Sequence, residues 1–173
     1  MRRLVDRDRL MRFMAGLGRE ARTAGRVYLT GGASAVLFDW RKSTIDVDLK
    51  LEPDNDEMMR AIPALKETLE VNVELASPGD FIPELPHWRE RSLFITREGS
   101  IDFHHYDFYA QALSKLERGH ARDLDDVANM RTHGLIQLAR LSELFSVIEA
   151  ELYRYPAIDP RTFRRRVEKL LSS

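Results

Sequence analysis

Cysteine is absent from this 173-residue chain. That excludes disulfide scaffolds, cysteine-ligated zinc, iron–sulfur clusters and thiol nucleophiles. No apolar run approaches the roughly 20 residues that a membrane-spanning helix needs. Glycine and proline are sparse, at 9 and 7 residues, which excludes collagen-like and low-complexity chains. The N-terminal Met1-Arg2-Arg3-Leu4-Val5-Asp6 is basic but has no apolar stretch behind it, unlike a signal peptide. The expectation is a soluble, cytoplasmic protein with no membrane association.

What is present is a globular composition, 43% hydrophobic and 32% charged. The length suits one domain with a helical extension. The net charge of −1 conceals an asymmetry. Residues 1–30 hold eight arginines against three acids, and residues 160–173 hold five basic side chains against one acid. Such ends can meet phosphates, although a solvated helix face is the commoner fate of surface charge. Arg164-Arg165-Arg166 is read in the same way.

Hydrophobic spacing divides the chain into a mixed α/β part, 1–108, and a helical part, 109–173, packed as one unit. Leu10, Phe13, Met14, Leu17 and Ala21 predict an amphipathic helix over 8–22, stopped by Gly25. A short strand, 26–30, runs into Gly31-Gly32, and a helix from Ala33 to Trp40 follows. Thr44–Leu51 alternates with period two, placing Ile45, Val47, Leu49 and Leu51 on one face. Residues 55–69 read as helix broken or kinked at Pro63. A strand is expected at 71–75 and a hairpin at 92–106 around Glu98-Gly99. Later helices break at Gly119, Gly134 and Pro156, and Asp159-Pro160 opens the last one.

The informative segment is Leu29-Thr30-Gly31-Gly32-Ala33-Ser34 followed by Thr44-Ile45-Asp46-Val47-Asp48-Leu49. A strand that turns through two glycines into a helix presents bare backbone N–H groups to a phosphate. Asp46 and Asp48, two apart on a strand, point to one side. Two close carboxylates repel unless a cation neutralises them. Magnesium is typically held by a carboxylate or two together with substrate phosphates. Together these are the parts of metal-assisted phosphoryl or nucleotidyl transfer. Ser34, Arg41, Lys42, Ser43 and Thr44 lie close enough in sequence to reach the nucleotide phosphates.

This pattern resembles the nucleotidyltransferase superfamily of DNA polymerase β type, over residues 26–51 directly and 26–75 in element order. The resemblance implies an α+β fold: a mixed β-sheet flanked by helices, followed by a C-terminal helical region. It implies Mg²⁺, or Mn²⁺, held by Asp46 and Asp48. Nucleotide binding would fall to Gly31, Gly32, Ser34, Arg41 and Thr44. A third carboxylate is expected on the strand after the second helix, with Glu74 the candidate and Asp102 its rival. The segment Lys115-Leu116-Glu117-Arg118-Gly119-His120-Ala121-Arg122-Asp123-Leu124-Asp125-Asp126 further resembles AbiEii/MenT-like toxin nucleotidyltransferases. It implies active-site roles for Lys115 and for Asp123 or Asp126. Helix capping by Asp123, with Lys115 on a solvated face, is the plainer reading of the same residues.

The expected activity is transfer of a nucleoside monophosphate from a nucleoside triphosphate to an acceptor hydroxyl on tRNA, protein or a small molecule. A toxin–antitoxin setting, with a cognate toxin or antitoxin as partner, follows from the resemblance alone. One alternative is a catalytically silent domain that binds a nucleotide or partner. Another is an RNA-binding module using the arginine-rich ends. His104 and His105 are adjacent on a strand and face opposite ways, so they make no shared metal site. Leu138, Leu141, Leu144, Phe145, Ile148 and Leu152 form a helical stripe suited to a core or a homodimer face.

Overall fold

The computed structural model describes residues 3–173. The fold is α+β. Its described residues form eight α-helices, a mixed five-stranded sheet and a two-stranded antiparallel sheet. They group into two compact units. The first runs to Ser77 and adds Ser92–Tyr106; the second takes Pro78–Arg91 and Asp107–Ser173.

In the first unit, β1 (Val5–Asp6) leads into α1 (Arg7–Glu20). Asp6 caps that helix by accepting from Arg9 N at 2.9 Å, an arrangement that contributes about 1 kcal/mol. The predicted stripe is confirmed, since Leu10, Phe13, Met14 and Leu17 are all buried. The stop is earlier than Gly25, because Ala21 ends the helix and Gly25 already opens β2 (Gly25–Thr30). Next come α2 (Gly32–Leu37), the short β3 (Ser43–Thr44) and β4 (Asp46–Glu52).

Strand β3 pairs with β1, Val5 opposite Thr44, and the chain turns at Ile45 before β4 begins. Ile45 therefore leaves the expected apolar set and is 51% exposed, while Val47, Leu49 and Leu51 are buried. Helix α3 (Asp56–Leu69) runs unbroken through Pro63. Pro63 and Met59, whose carbonyl loses its i+4 partner, both lie on the exposed side of the helix, so that carbonyl is not left buried and unsatisfied. Strands β5 (Asn72–Glu74), β6 (Leu93–Glu98) and β7 (Ile101–His105) complete the sheet in the order β5-β4-β2-β7-β6. Pairs β4/β5 and β2/β7 are parallel; β2/β4 and β6/β7 are antiparallel.

One face of the sheet is apolar. Val27, Leu29, Val47, Leu49, Ile101 and Phe103 are fully buried in a core with the apolar residues of α1 and with Met58, Ala61 and Ile62 of α3. Period-two alternation sends the polar residues of β4 and β5 to the other face.

The second unit holds α4 (Trp88–Arg91), α5 (Phe108–Arg118), α6 (Ala121–Thr132), α7 (Leu138–Glu149) and α8 (Pro160–Leu171). Gly119 and Gly134 stand at φ 71° and 70° at helix ends, where a left-handed residue satisfies the last carbonyls. Asp159 caps α8 and Pro160 occupies its first turn, as the sequence predicts.

Candidate active site

The bend after β2 is built around its two glycines. Gly31 has φ 64° and ψ −130°, a conformation that disfavours any side chain. A Cβ at Gly31 would lie 3.3 Å from Asp48 Oδ2. A Cβ at Gly32 would lie 2.0 Å from Thr44 Oγ1 and 2.6 Å from Thr44 Cβ. The bend thus lets two elements close in, the acidic strand on Gly31 and β3 on Gly32. Thr44 is buried and donates to Asp46 O at 3.1 Å, tying the start of β4 to the bend. Thr44 acts as a spacer between the two halves of the motif.

Gly32→Ala is therefore expected to destabilise the fold by about 1–3 kcal/mol, the usual cost of overpacking. Thermal unfolding checks it, and an unchanged midpoint would show that the spacing is not fixed by this contact.

Asp46 and Asp48 share the polar face of β4, and both are half-buried. Asp48 faces Thr30 of β2 on one side and Glu74 of β5 on the other; Asp46 faces Asn72. Four residues of two parallel strands therefore line one surface beside the glycine bend. Asn72 Nδ2 donates to Asp46 Oδ1 and, at 3.3 Å, to Glu74 Oε1. Glu74 is exposed.

Asp102 stands elsewhere. It pairs in register with Arg26, four positions along β2 from the Thr30 that faces Asp48. At ~3.3 Å per residue this places the two acids about 13 Å apart along the strand. Asp102 is also engaged by Arg97, at 2.6 and 2.9 Å. Those bonds hold its carboxyl below the ordinary carboxylate range despite partial desolvation. Among the described residues no three His, Asp or Glu side chains converge on one point as a complete metal cage. The donor set at the bend is a pair of hard oxygen ligands, which suits magnesium or manganese when phosphate and water supply the remaining positions. The residues present fit such an ion on those terms.

Ser34 is not brought to this surface. It is fully buried, donates to Leu29 O at 3.4 Å and lies 2.9 Å from His105 Nδ1. Arg41 is half-buried just beyond α2, with its amide bonded to Ala35 O at 3.3 Å; Lys42 is exposed.

His104 and His105 do face opposite ways. His104 packs on Tyr28, with ring centroids 5.4 Å apart. His105 points inward, and burial pushes its pKa from 6.5 to about 4. A histidine buried neutral favours the fold above the unfolded pKa and loses that contribution as pH falls from 6.5 towards 4. The loss amounts to about 3 kcal/mol. Denaturant midpoints measured across that window should fall with pH, and His105→Gln should flatten the slope.

Lys115 and Asp126 belong to the second unit, where α5 and α6 bring them together. Lys115 is 7% exposed and Asp126 2% exposed, so the solvated-face reading of Lys115 does not hold. Lys115 Nζ lies 2.7 Å from Asp126 Oδ2 and 3.7 Å from Asp123 Oδ1. Asp123 accepts from His120 N at 3.3 Å, so it does serve the start of α6. Burial disfavours its ionisation, but the hydrogen bonds from Arg118 outweigh that and hold its carboxyl below the ordinary range.

Asn72 is the residue that sequence reasoning passed over. The 71–75 alternation already placed it on the face of Glu74, but only the register with Asp46 shows what it touches.

A family model described as "Nucleotidyltransferase of unknown function (DUF6036)" matches residues 6–169. No curated protein and no solved structure matches the chain. Among the described residues no helix is long and apolar enough to cross a membrane.

Proposed function

Because this chain belongs to that nucleotidyltransferase family, we propose that it transfers a nucleoside monophosphate from a nucleoside triphosphate to an acceptor hydroxyl. The observation that carries the reading is the closure of Asp48 on the glycine bend, with Asp48 Oδ2 3.3 Å from where a Gly31 Cβ would stand. The glycine turn and the acidic pair are thereby one surface.

In this reading the N–H groups around Gly31 and Gly32 receive phosphate oxygens. Asp46 and Asp48 would hold a magnesium or manganese ion, which when bound supplies charge neutralisation at the phosphates. The acceptor oxygen bonds to the α-phosphorus. The bond from that phosphorus to the bridging oxygen breaks, and pyrophosphate leaves with the electron pair. The acceptor proton passes to a carboxylate; Glu74, exposed and in register with Asp48, is the proposed base. The resemblance to AbiEii/MenT-like toxins alone proposes tRNA as acceptor and a toxin–antitoxin setting.

The lack of a third converging acid among the described residues supports a second reading, a nucleotide-binding domain without turnover. Incubation of the protein with each labelled nucleoside triphosphate, Mg²⁺ and total cellular RNA and protein separates the two. Label in an acceptor, with pyrophosphate released, supports transfer. Calorimetric nucleotide binding with no label in any fraction supports the silent domain.

A further inference from the structure

Asn72 stands between two carboxylates. Its side chain is 7% exposed, and its single Nδ2 donates both to Asp46 Oδ1 and to Glu74 Oε1. Register explains why it can do so: Asn72 is directly opposite Asp46 on the neighbouring parallel strand, and Glu74 is two residues further on the same face. Glu74 stands directly opposite Asp48 and diagonal to Asp46, and like charges set opposite one another across strands are destabilising. A lysine or arginine here would relieve the repulsion but cancel the charge that attracts a cation. A carboxamide relieves it with a dipole and leaves both negative charges in place. Hydrogen bonds of this kind, made to the oxygens of a ligating carboxylate, commonly fix which oxygen faces the metal.

We infer that Asn72 is a positioning residue of the cation site, locking Asp46 through Oδ1, coupling it to Glu74, and leaving the second Asp46 oxygen for a divalent ion. The inference rests on the cation reading given above and deepens it. Glu74 then influences the ion through Asn72 as well as by its charge.

The test is Mn²⁺ binding to the full chain, read by the electron paramagnetic resonance of free Mn²⁺ in the presence of a non-hydrolysable triphosphate analogue. Asn72→Ala is expected to weaken Mn²⁺ affinity about 10–100-fold, as loss of an outer-shell partner typically does. Asn72→Gln, which keeps the donor, is expected to restore most of it. Circular dichroism and unfolding midpoints confirm that both variants fold. Unchanged affinity in the alanine variant overturns the inference, as does a folded glutamine variant as weak as alanine. If the unaltered chain binds no Mn²⁺ at all, the cation reading itself fails, an outcome distinct from either of these.

Discussion

Asp48→Asn is expected to lower kcat/KM for nucleotidyl transfer by about 10²–10³-fold, the cost of removing one preorganised electrostatic partner from a transition state. The substitution keeps the shape of the side chain against the Gly31 bend and removes only its charge, so unfolding midpoints should stay close to the unaltered protein. That separation makes the variant informative. A carboxylate that merely decorated a strand face would leave transfer untouched. One that holds a cation beside the bend would take Mn²⁺ affinity down with activity. Asp46→Ala should follow the same pattern. Full transfer by either variant, on any acceptor that becomes labelled, would contradict the assignment. Asp48 Oδ2 lies at the glycine turn, so in the proposed site its charge would stand next to the phosphates.

Asp126→Ala is expected to cost about 3–5 kcal/mol of stability, because it strands a buried ammonium without its main partner. Lys115 Nζ sits 2.7 Å from the Asp126 oxygen and 3.7 Å from Asp123. Asp123 is already bound by Arg118 at 2.5 Å. Its remaining capacity is a poor substitute. Replacing both partners, Lys115→Met with Asp126→Leu, should recover most of the loss, since apolar pairs of similar volume often match or exceed a buried ion pair in stability. A double-mutant cycle by denaturant unfolding reads the coupling. A single alanine substitution that left the midpoint unchanged would mean that the pair is solvated and contributes nothing.

Legibility differed between elements for identifiable reasons. Strand β4 was readable because alternation is local: Val47, Leu49 and Leu51 turn inward wherever the strand lies, and Asp46 and Asp48 must then turn the other way. The amphipathic helix α1 and the caps at Gly119 and Asp159-Pro160 were readable for the same reason. Ile45 falls outside the apolar set because its neighbour Thr44 pairs with Val5, some forty residues away in sequence, which interrupts the alternation just before β4. Pro63 does not break the helix, because the cost of a helical proline depends on whether the freed carbonyl is exposed, and exposure is a tertiary property. The burial of Lys115 is not legible locally, because no spacing rule shows that α6 folds back to place Asp126 against it.

By itself the sequence determined the mixed α+β class, the helical C-terminal part, the glycine bend and the common face of the two aspartates, because each follows from periods of 2 or 3.6 residues and from the backbone freedom of glycine. The tertiary structure alone decided that Asp48 closes on Gly31, that Ser34 turns inward to His105 while Asn72 joins Asp46 to Glu74, and that Asp102 lies outside the group. Those outcomes depend on which strands become neighbours and on how they slide against one another, long-range choices that the period of a single strand does not contain.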